Sequence, residues 1–289
     1  MALIFNKACI IGVGLIGGSL ARAVKENSLV GEVSGYSRHE EQLKLAFELG
    51  VIDRYSTNLA EAVTGCDLIV LATPLKAMPS ILQMLVGLVN DDVVITDVGS
   101  AKRGVIKAVE NAFGGIPAGF VAGHPIAGTE KSGVEASFAE LYQDRCVILT
   151  PTQETDTQAV EKVSQLWQGA GAEVVVMTAD HHDEVLAATS HVPHVLAFSL
   201  VDTLAKMQEH NEIFKFAAGG FRDFTRISSS DPQMWRDISL ENGDAILSVL
   251  NRFQQSIDEL KQAIQKQDGQ SIEAIYRRAK QARDEHVIN

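Results

Sequence analysis

The stretch Lys7 to Ser19, K-A-C-I-I-G-V-G-L-I-G-G-S, decides the fold, because it sets a buried strand, a tight turn and a helix start in immediate succession. Cys9, Ile10 and Ile11 form the short apolar run expected of a central parallel strand. Gly12, Gly14 and Gly17 follow as G-x-G-x-x-G, with Leu15 and Ile16 between them, and the helical run Leu20 to Val24 opens directly afterwards. In such a loop the first glycine permits the turn, the second lets backbone approach a pyrophosphate, and the third lets helix and strand pack closely, with the helix N-terminus facing the anion. Ser19 could add a hydroxyl to the same turn. A glycine-rich turn with no ligand is the plainer alternative. The flanking strand and helix, and a second strand-like run at Glu32 to Tyr36, favour a nicotinamide dinucleotide cradle built from Gly12, Gly14, Leu15, Ile16 and Gly17.

Working outward, further strand-like runs lie at 67–71, 93–96, 120–123, 145–149 and 173–177, with helical spacing between most of them. That alternation predicts a Rossmann-type, doubly wound parallel sheet of the α/β class. Thr73 and Pro74 close the third run and begin a loop over the expected cofactor site. At the end of the second run an NAD enzyme usually places an acid for the ribose hydroxyl, whereas here Ser37 and Arg38 stand, a pair suited to a 2′-phosphate. The cofactor is therefore read as NAD or NADP, tilted toward NADP, although Glu40 and Glu41 follow closely and an exposed Ser-Arg pair is often simply solvated.

Beyond Thr178 the strand signals stop and the pattern is helical to the end, which predicts a dinucleotide-binding domain over 1–178 and an all-helical C-terminal domain over 179–289. Ile246, Leu250, Phe253, Ile257, Leu260 and Ile264 form a heptad seam. Its partner could lie in the same chain or in a second copy.

The 289 residues carry 37 acidic against 25 basic side chains, a net charge of −12 that argues against nucleic acid and anionic membrane as partners. Cys9, Cys66 and Cys146 are far apart and lack metal or redox spacing, so they read as reduced thiols. No uninterrupted apolar run of about 18 residues and no secretory pattern occur, and a cytoplasmic protein is expected. No metal is expected either, since His191 and His194 stand three apart without further ligands.

A second signal is Gly123 to Glu130, G-H-P-I-A-G-T-E, which delivers His124 at the end of a predicted parallel strand, where ligands of such sheets sit. From position alone a structural and a catalytic histidine are evenly matched. The chain also carries D-V-G-S-A-K at 97–102, S-H-V-P-H at 190–194, G-G-F-R-D-F-T-R-I at 219–227 and S-D-P-Q-M-W-R-D at 230–237. With these motifs in this order it resembles, over nearly its whole length, the prephenate dehydrogenases and their arogenate-using relatives of tyrosine biosynthesis.

That resemblance implies removal of hydride from the carbon bearing the ring hydroxyl of a cyclohexadiene acid, with loss of the ring carboxylate as carbon dioxide and aromatisation. It implies that His124 accepts the hydroxyl proton with Ser100 close by to orient it, and that Arg226 binds a substrate carboxylate. Arg222, where some relatives carry lysine, falls to the substrate side-chain region. His194 falls against the substrate and, since some arogenate-specific relatives lack it, favours prephenate. Trp235 either shapes the pocket or belongs to the core. A homodimer is implied, while a fused chorismate mutase or a strand-rich regulatory domain is not expected. Two other classes compete. The β-hydroxyacid dehydrogenases use a lysine base, and Thr189 to Ser199 contains no lysine. A non-catalytic dinucleotide sensor would need neither His124 nor Arg226.

Overall fold

The apolar runs of the first half, together with one short polar edge segment, form six parallel strands in a computed structural model that describes residues 3–129 and 131–287. They are β1 (Phe5–Ile11), β2 (Val30–Tyr36), β3 (Arg54–Ser56), β4 (Leu68–Leu71), β5 (Val94–Asp97) and β6 (Phe120–Val121), in the order β3-β2-β1-β4-β5-β6. The order reverses between β1 and β4, which opens a crevice at the strands' carboxyl ends. Ile11 stands level with Tyr36 on one side and Leu71 on the other, so the glycine loop leaves the sheet at that crevice. Side chains alternate across β1. Ile10 packs with Leu20 and Val24 of α1 (Leu15–Glu26), whereas Cys9 and Ile11 face a second core holding Leu82 of α4 (Met78–Leu85) and Val105 of α5 (Lys102–Phe113). The short helices α2 (Glu40–Glu48) and α3 (Leu59–Val63) and the half-exposed edge strand β3 lacked a strong apolar signal in the sequence.

The sheet does not continue as one parallel array. β7 (Gly123–Pro125), β8 (Cys146–Leu149) and β9 (Glu173–Val176) form a separate sheet in which β7 runs antiparallel to β8. His124 therefore lies inside a short antiparallel strand, not at the end of a parallel one. The break occurs at Gly123, whose N–H donates to the Asp97 carboxylate at 3.1 Å and whose carbonyl accepts from the Lys102 ammonium at 2.6 Å. These side chains replace the ladder partners that β5 would otherwise supply. The G-H-P-I-A-G-T-E motif runs on to Glu130, which lies outside the described residues.

Between β8 and β9 lies α6 (Thr157–Gly169), begun by Asp156, whose carboxylate caps the Gln158 N–H. After β9 come α7 (Ala179–Leu186), one π-turn over Ala187–His191, and α8 (Val192–Ala205). The wide turn has a local cause. Pro193 has no N–H to offer the preceding turn and its ring crowds it, and one extra residue relieves both problems. Then follow α9 (His210–Lys215), α10 (Gly219–Thr225), α11 (Pro232–Glu241), α12 (Gly243–Gln265) and α13 (Gly269–His286). Asp231 caps α11 by accepting from the Gln233 and Met234 N–H groups, and Pro232 fits its first turn.

Ala179–Ala205 is long and apolar enough, by length and composition, to cross a membrane. It nevertheless buries His182, Asp183 and His191, each at most 1% exposed, in a polar network described below. The chain divides into two compact units, 1–243 and 244–289. Within the second, Phe253, Ile257 and Ile264 of the heptad seam are exposed on α12. Cys9 and Cys66 are free and buried, and burial pushes the Cys9 thiol up to about 12.

Candidate active site

The glycine loop has the geometry its spacing predicts. Gly12 has φ +97°, and a Cβ there would lie 2.6 Å from the Ala72 carbonyl oxygen. At Gly17 a Cβ would come within 2.3 Å of the Gly12 oxygen, which is the close packing of helix on strand. Gly14 differs, since a Cβ would meet nothing within 4 Å. Gly14 is also the N-cap of α1, which has no side-chain cap, so the free N–H groups and the positive end of the helix dipole lie beside it. Thr73, which packs against Gly12, has a buried hydroxyl oxygen with no hydrogen-bond partner among the described residues. Pro74 turns the chain into a short 3-10 helix, in which Leu75 is buried. These features fit a dinucleotide pyrophosphate.

Leu15 is buried and the Ile16 carbonyl accepts from the Tyr142 hydroxyl at 2.6 Å, so both hold the loop in place. Ser19 does not face the cradle: it is fully buried and its hydroxyl accepts from the Phe138 N–H. At the end of β2 the Ser37 hydroxyl accepts from the His39 N–H, while Arg38 is exposed and makes no ion pair among the described residues.

His124 is 8% exposed and its Nδ1 lies 2.8 Å from Nε2 of His182. His182 Nδ1 in turn lies 2.8 Å from Oδ1 of Asp183. Asp183 also accepts from the Lys102 and Arg103 N–H groups and from the Arg103 guanidinium, at 2.8, 3.0 and 3.2 Å. It thereby caps α5 from another helix, since Ala101 offers no side chain for the purpose. Burial alone would raise the Asp183 carboxyl, but the hydrogen bonds from His182, Lys102 and Arg103 outweigh it and hold it below its ordinary value. Burial pushes His124 well below the ordinary histidine range, with His182, Lys102 and His191 adding to the effect, so the ring is neutral near pH 7. Its Nε2 makes no hydrogen bond with the described residues and is not sealed from solvent.

Lys102 and Asp97 form a fully buried ion pair that grips both backbone groups of Gly123, the residue before His124. Ser100 lies partly buried in the loop between β5 and α5 and makes no hydrogen bond to His124, whose ring partner is His182 instead.

Asn242 ties the next layer together. Its amide nitrogen donates to the Asp183 carbonyl at 2.7 Å and lies 3.1 Å from His191 Nδ1. Burial pushes His191 down to about 4. His194, one helical turn on, donates from Nδ1 to the Ser190 carbonyl and lies against the Trp235 indole. Burial lowers it first, and the nearby Arg226 lowers it further. Arg226 begins a 3-10 turn packed on α8, is exposed, and pairs with neither Asp223 nor Asp231, nor with any other acid among the described residues. Its free fork of donors near His194 suits a carboxylate. Arg222, on the exposed part of α10, has no ion pair among the described residues and no contact that ties it to His124.

Sequence reasoning singled out His124, His194, Trp235 and Arg226 and quoted Asp97 and Lys102 only as the ends of D-V-G-S-A-K, with no role; it missed His182, Asp183 and Asn242. A signal was present for the first two: A-D-H-H-D-E opens the helix that follows the last strand.

Comparison with known proteins agrees with this geometry. A family profile described as the prephenate dehydrogenase nucleotide-binding domain matches residues 20–176, and one described as the prephenate dehydrogenase dimerization domain matches 178–278. The chain is 38% identical over 283 residues to a cyclohexadienyl dehydrogenase of Zymomonas mobilis, covering 97% of this chain and 96% of the relative. It is 39% identical to a prephenate dehydrogenase of Bacillus subtilis, over 94% of this chain and 74% of that one. The crystal structure of an Aquifex aeolicus prephenate dehydrogenase in complex with hydroxyphenyl propionate and NAD+ superposes with TM-score 0.92 at 37% identity, covering 99% of each chain.

Proposed function

The chain belongs to the prephenate dehydrogenase family, and from that premise we propose that it converts prephenate to 4-hydroxyphenylpyruvate by oxidative decarboxylation, in tyrosine biosynthesis. A nicotinamide dinucleotide, held by Gly12, Gly14, Leu15, Ile16, Gly17, Thr73 and Pro74, supplies the hydride acceptor when bound. His124 takes the ring hydroxyl proton. The observation that carries this is the buried, neutral imidazole with one nitrogen anchored to His182 and the other free. A neutral base at the hydroxyl develops the carbonyl-like bond that expels hydride, and loss of the ring carboxylate completes the aromatic ring.

Arg226 grips a substrate carboxylate, supported by its unpaired guanidinium beside His194. His194 and Trp235 form one wall, Ser100 lines the approach to His124, and Arg222 serves the outer part of the substrate. Ser37 and Arg38 favour NADP over NAD, supported by the free Arg38 side chain at the end of β2. Residues 1–178 form the dinucleotide domain and 179–289 the substrate and dimerisation domain, a division supported by the end of the last strand at Val176. The exposed apolar residues of α12 support a homodimer, and the protein is cytoplasmic.

The test is an assay of purified protein with prephenate and NAD or NADP, following the absorbance of reduced nicotinamide. The Zymomonas relative supports a second reading, a cyclohexadienyl dehydrogenase that also accepts arogenate. The ratio of kcat/KM for prephenate and arogenate separates the two. A small hydroxy acid turned over in their place would move the chain to the β-hydroxyacid dehydrogenases.

A further inference from the structure

We propose that His182 and Asp183 form a proton relay behind His124, a role that rests on His124 being the base: they fix which of its nitrogens is free, and they receive charge from it during turnover. The argument starts at the carboxylate. Asp183 is fully buried and accepts from two backbone N–H groups and a guanidinium, so it is ionised and can only accept. Its 2.8 Å partner, His182 Nδ1, must then be the donor. In a neutral imidazole the other nitrogen carries the lone pair, so His182 Nε2 accepts and His124 Nδ1 donates across their 2.8 Å contact. The proton on His124 is thereby pinned to Nδ1, and Nε2 is left as the accepting nitrogen.

The same chain can move charge. When His124 Nε2 takes the hydroxyl proton, the Nδ1–H bond of His124 breaks and an Nε2–H bond forms on His182. His124 is neutral again and His182 is an imidazolium held against the Asp183 carboxylate. No electrons change hands in this step, since hydride leaves separately to the nicotinamide. After product departs, the shared proton returns from His182 to His124 Nδ1 as the Nε2 proton passes to water. One proton is released in total. The charges facing the relay are Lys102 and Arg103 from α5, Asp97 from β5 and His191 from the π-turn. Lys102 opposes a positive charge on either ring, while Asp97 and Asp183 favour one on His182. That asymmetry directs charge away from His124.

Two variants separate positioning from transfer. His182→Leu removes the acceptor altogether, whereas His182→Gln can present its amide oxygen to His124 Nδ1 but cannot take up a proton. With prephenate and the preferred dinucleotide, kcat should fall by about 100-fold in His182→Leu. His182→Gln should recover about tenfold of that loss, with KM and dinucleotide affinity near wild type in both. The proton inventory of kcat/KM in mixed light and heavy water should be curved in the wild type and linear in His182→Gln. Asp183→Asn should shift the acid limb of the pH profile. His124→Asn, run alongside, tests the base itself. If His124→Asn keeps full turnover, the reading of His124 falls. If it is inactive while His182→Gln keeps wild-type kcat, pH profile and a curved inventory, the base stands and the relay is overturned. Should His182→Leu fail to fold by circular dichroism, the His182→Gln comparison decides alone.

Discussion

The imidazole of His194 lies flat on the indole of Trp235, with ring centroids 3.5 Å apart and planes inclined by 18°. The stack joins α8 to α11, and the Ser190 carbonyl fixes the imidazole at its edge by accepting from Nδ1. Such ring pairs contribute about 0.5–1.5 kcal/mol beyond buried area. Trp235→Leu should therefore raise KM for prephenate by a fewfold to about tenfold with a smaller change in kcat. Steady-state kinetics that leave KM unchanged would make the stack a feature of packing alone.

Removing the base should act on chemistry and spare the cofactor. For His124→Asn, kcat should fall by about 10²–10⁴, while the dinucleotide, bound at the glycine loop, should retain its affinity in a fluorescence titration. Equal losses of both would point to a collapsed site instead.

Arg226→Ala should raise KM sharply, because a desolvated charged contact is worth about 2–5 kcal/mol. Arg226→Lys should restore only part of it, since an ammonium cannot offer two parallel donors. Michaelis constants for the two variants, compared with wild type, measure this directly. A surface role would be worth only about 0–1 kcal/mol and would leave KM in place.

For the cofactor, NADP should bind at least as tightly as NAD, and Arg38→Ala should weaken NADP selectively by about tenfold, the scale of one charge-assisted contact. Calorimetric titration with both dinucleotides decides it. A wild-type preference for NAD would mean that Arg38 points away from the ribose.

Acid should destabilise the fold in a defined window. His191 titrates near 4 in the folded chain, against an ordinary value of 6.5, and burial also lowers His124 and His182. Above the ordinary value, folded and unfolded chains are both neutral at these rings. As the pH falls, the unfolded chain binds protons that the folded one refuses, so stability drops until the folded rings titrate too. Tm should fall steadily from about pH 6.5 toward 4, and His191→Phe should make that fall shallower. A flat Tm over the interval would show that the rings are protonated in the native state.

Much of this was legible in the chain, and the rest was hidden for identifiable reasons. Buried strands announce themselves as apolar runs, so β1, β4, β5 and β8 follow from the residue order, and the glycine spacing locates the cradle. β3 is three half-exposed residues, R-Y-S, whose pairing with β2 carries no hydrophobic signature. His124 was found, but not its strand, because the turn away from the parallel ladder depends on Asp97 and Lys102 reaching Gly123 from 26 and 21 residues away. His182 and Asp183 sit in a run of charges that resembles a solvated helix start. Only the approach of α5, with its uncapped N-terminus, turns Asp183 into a buried acceptor.

The π-turn at Ala187–His191 makes the helices on either side of it separately indexed. His182 and Asp183 hang on the first segment and His194 on the second, and the wide turn absorbs its extra residue within one turn, so both segments keep the facing of a single α-helix. Deleting one residue there would restore an unbroken α-helix of nearly the same length without rotating what lies beyond it. His194 would keep the Trp235 stack and His182 would still face His124, whereas the relief that the wide turn gives Pro193 would be lost. Loss of a single codon in this turn would thus strain the helix at its proline while leaving the two functional faces aligned.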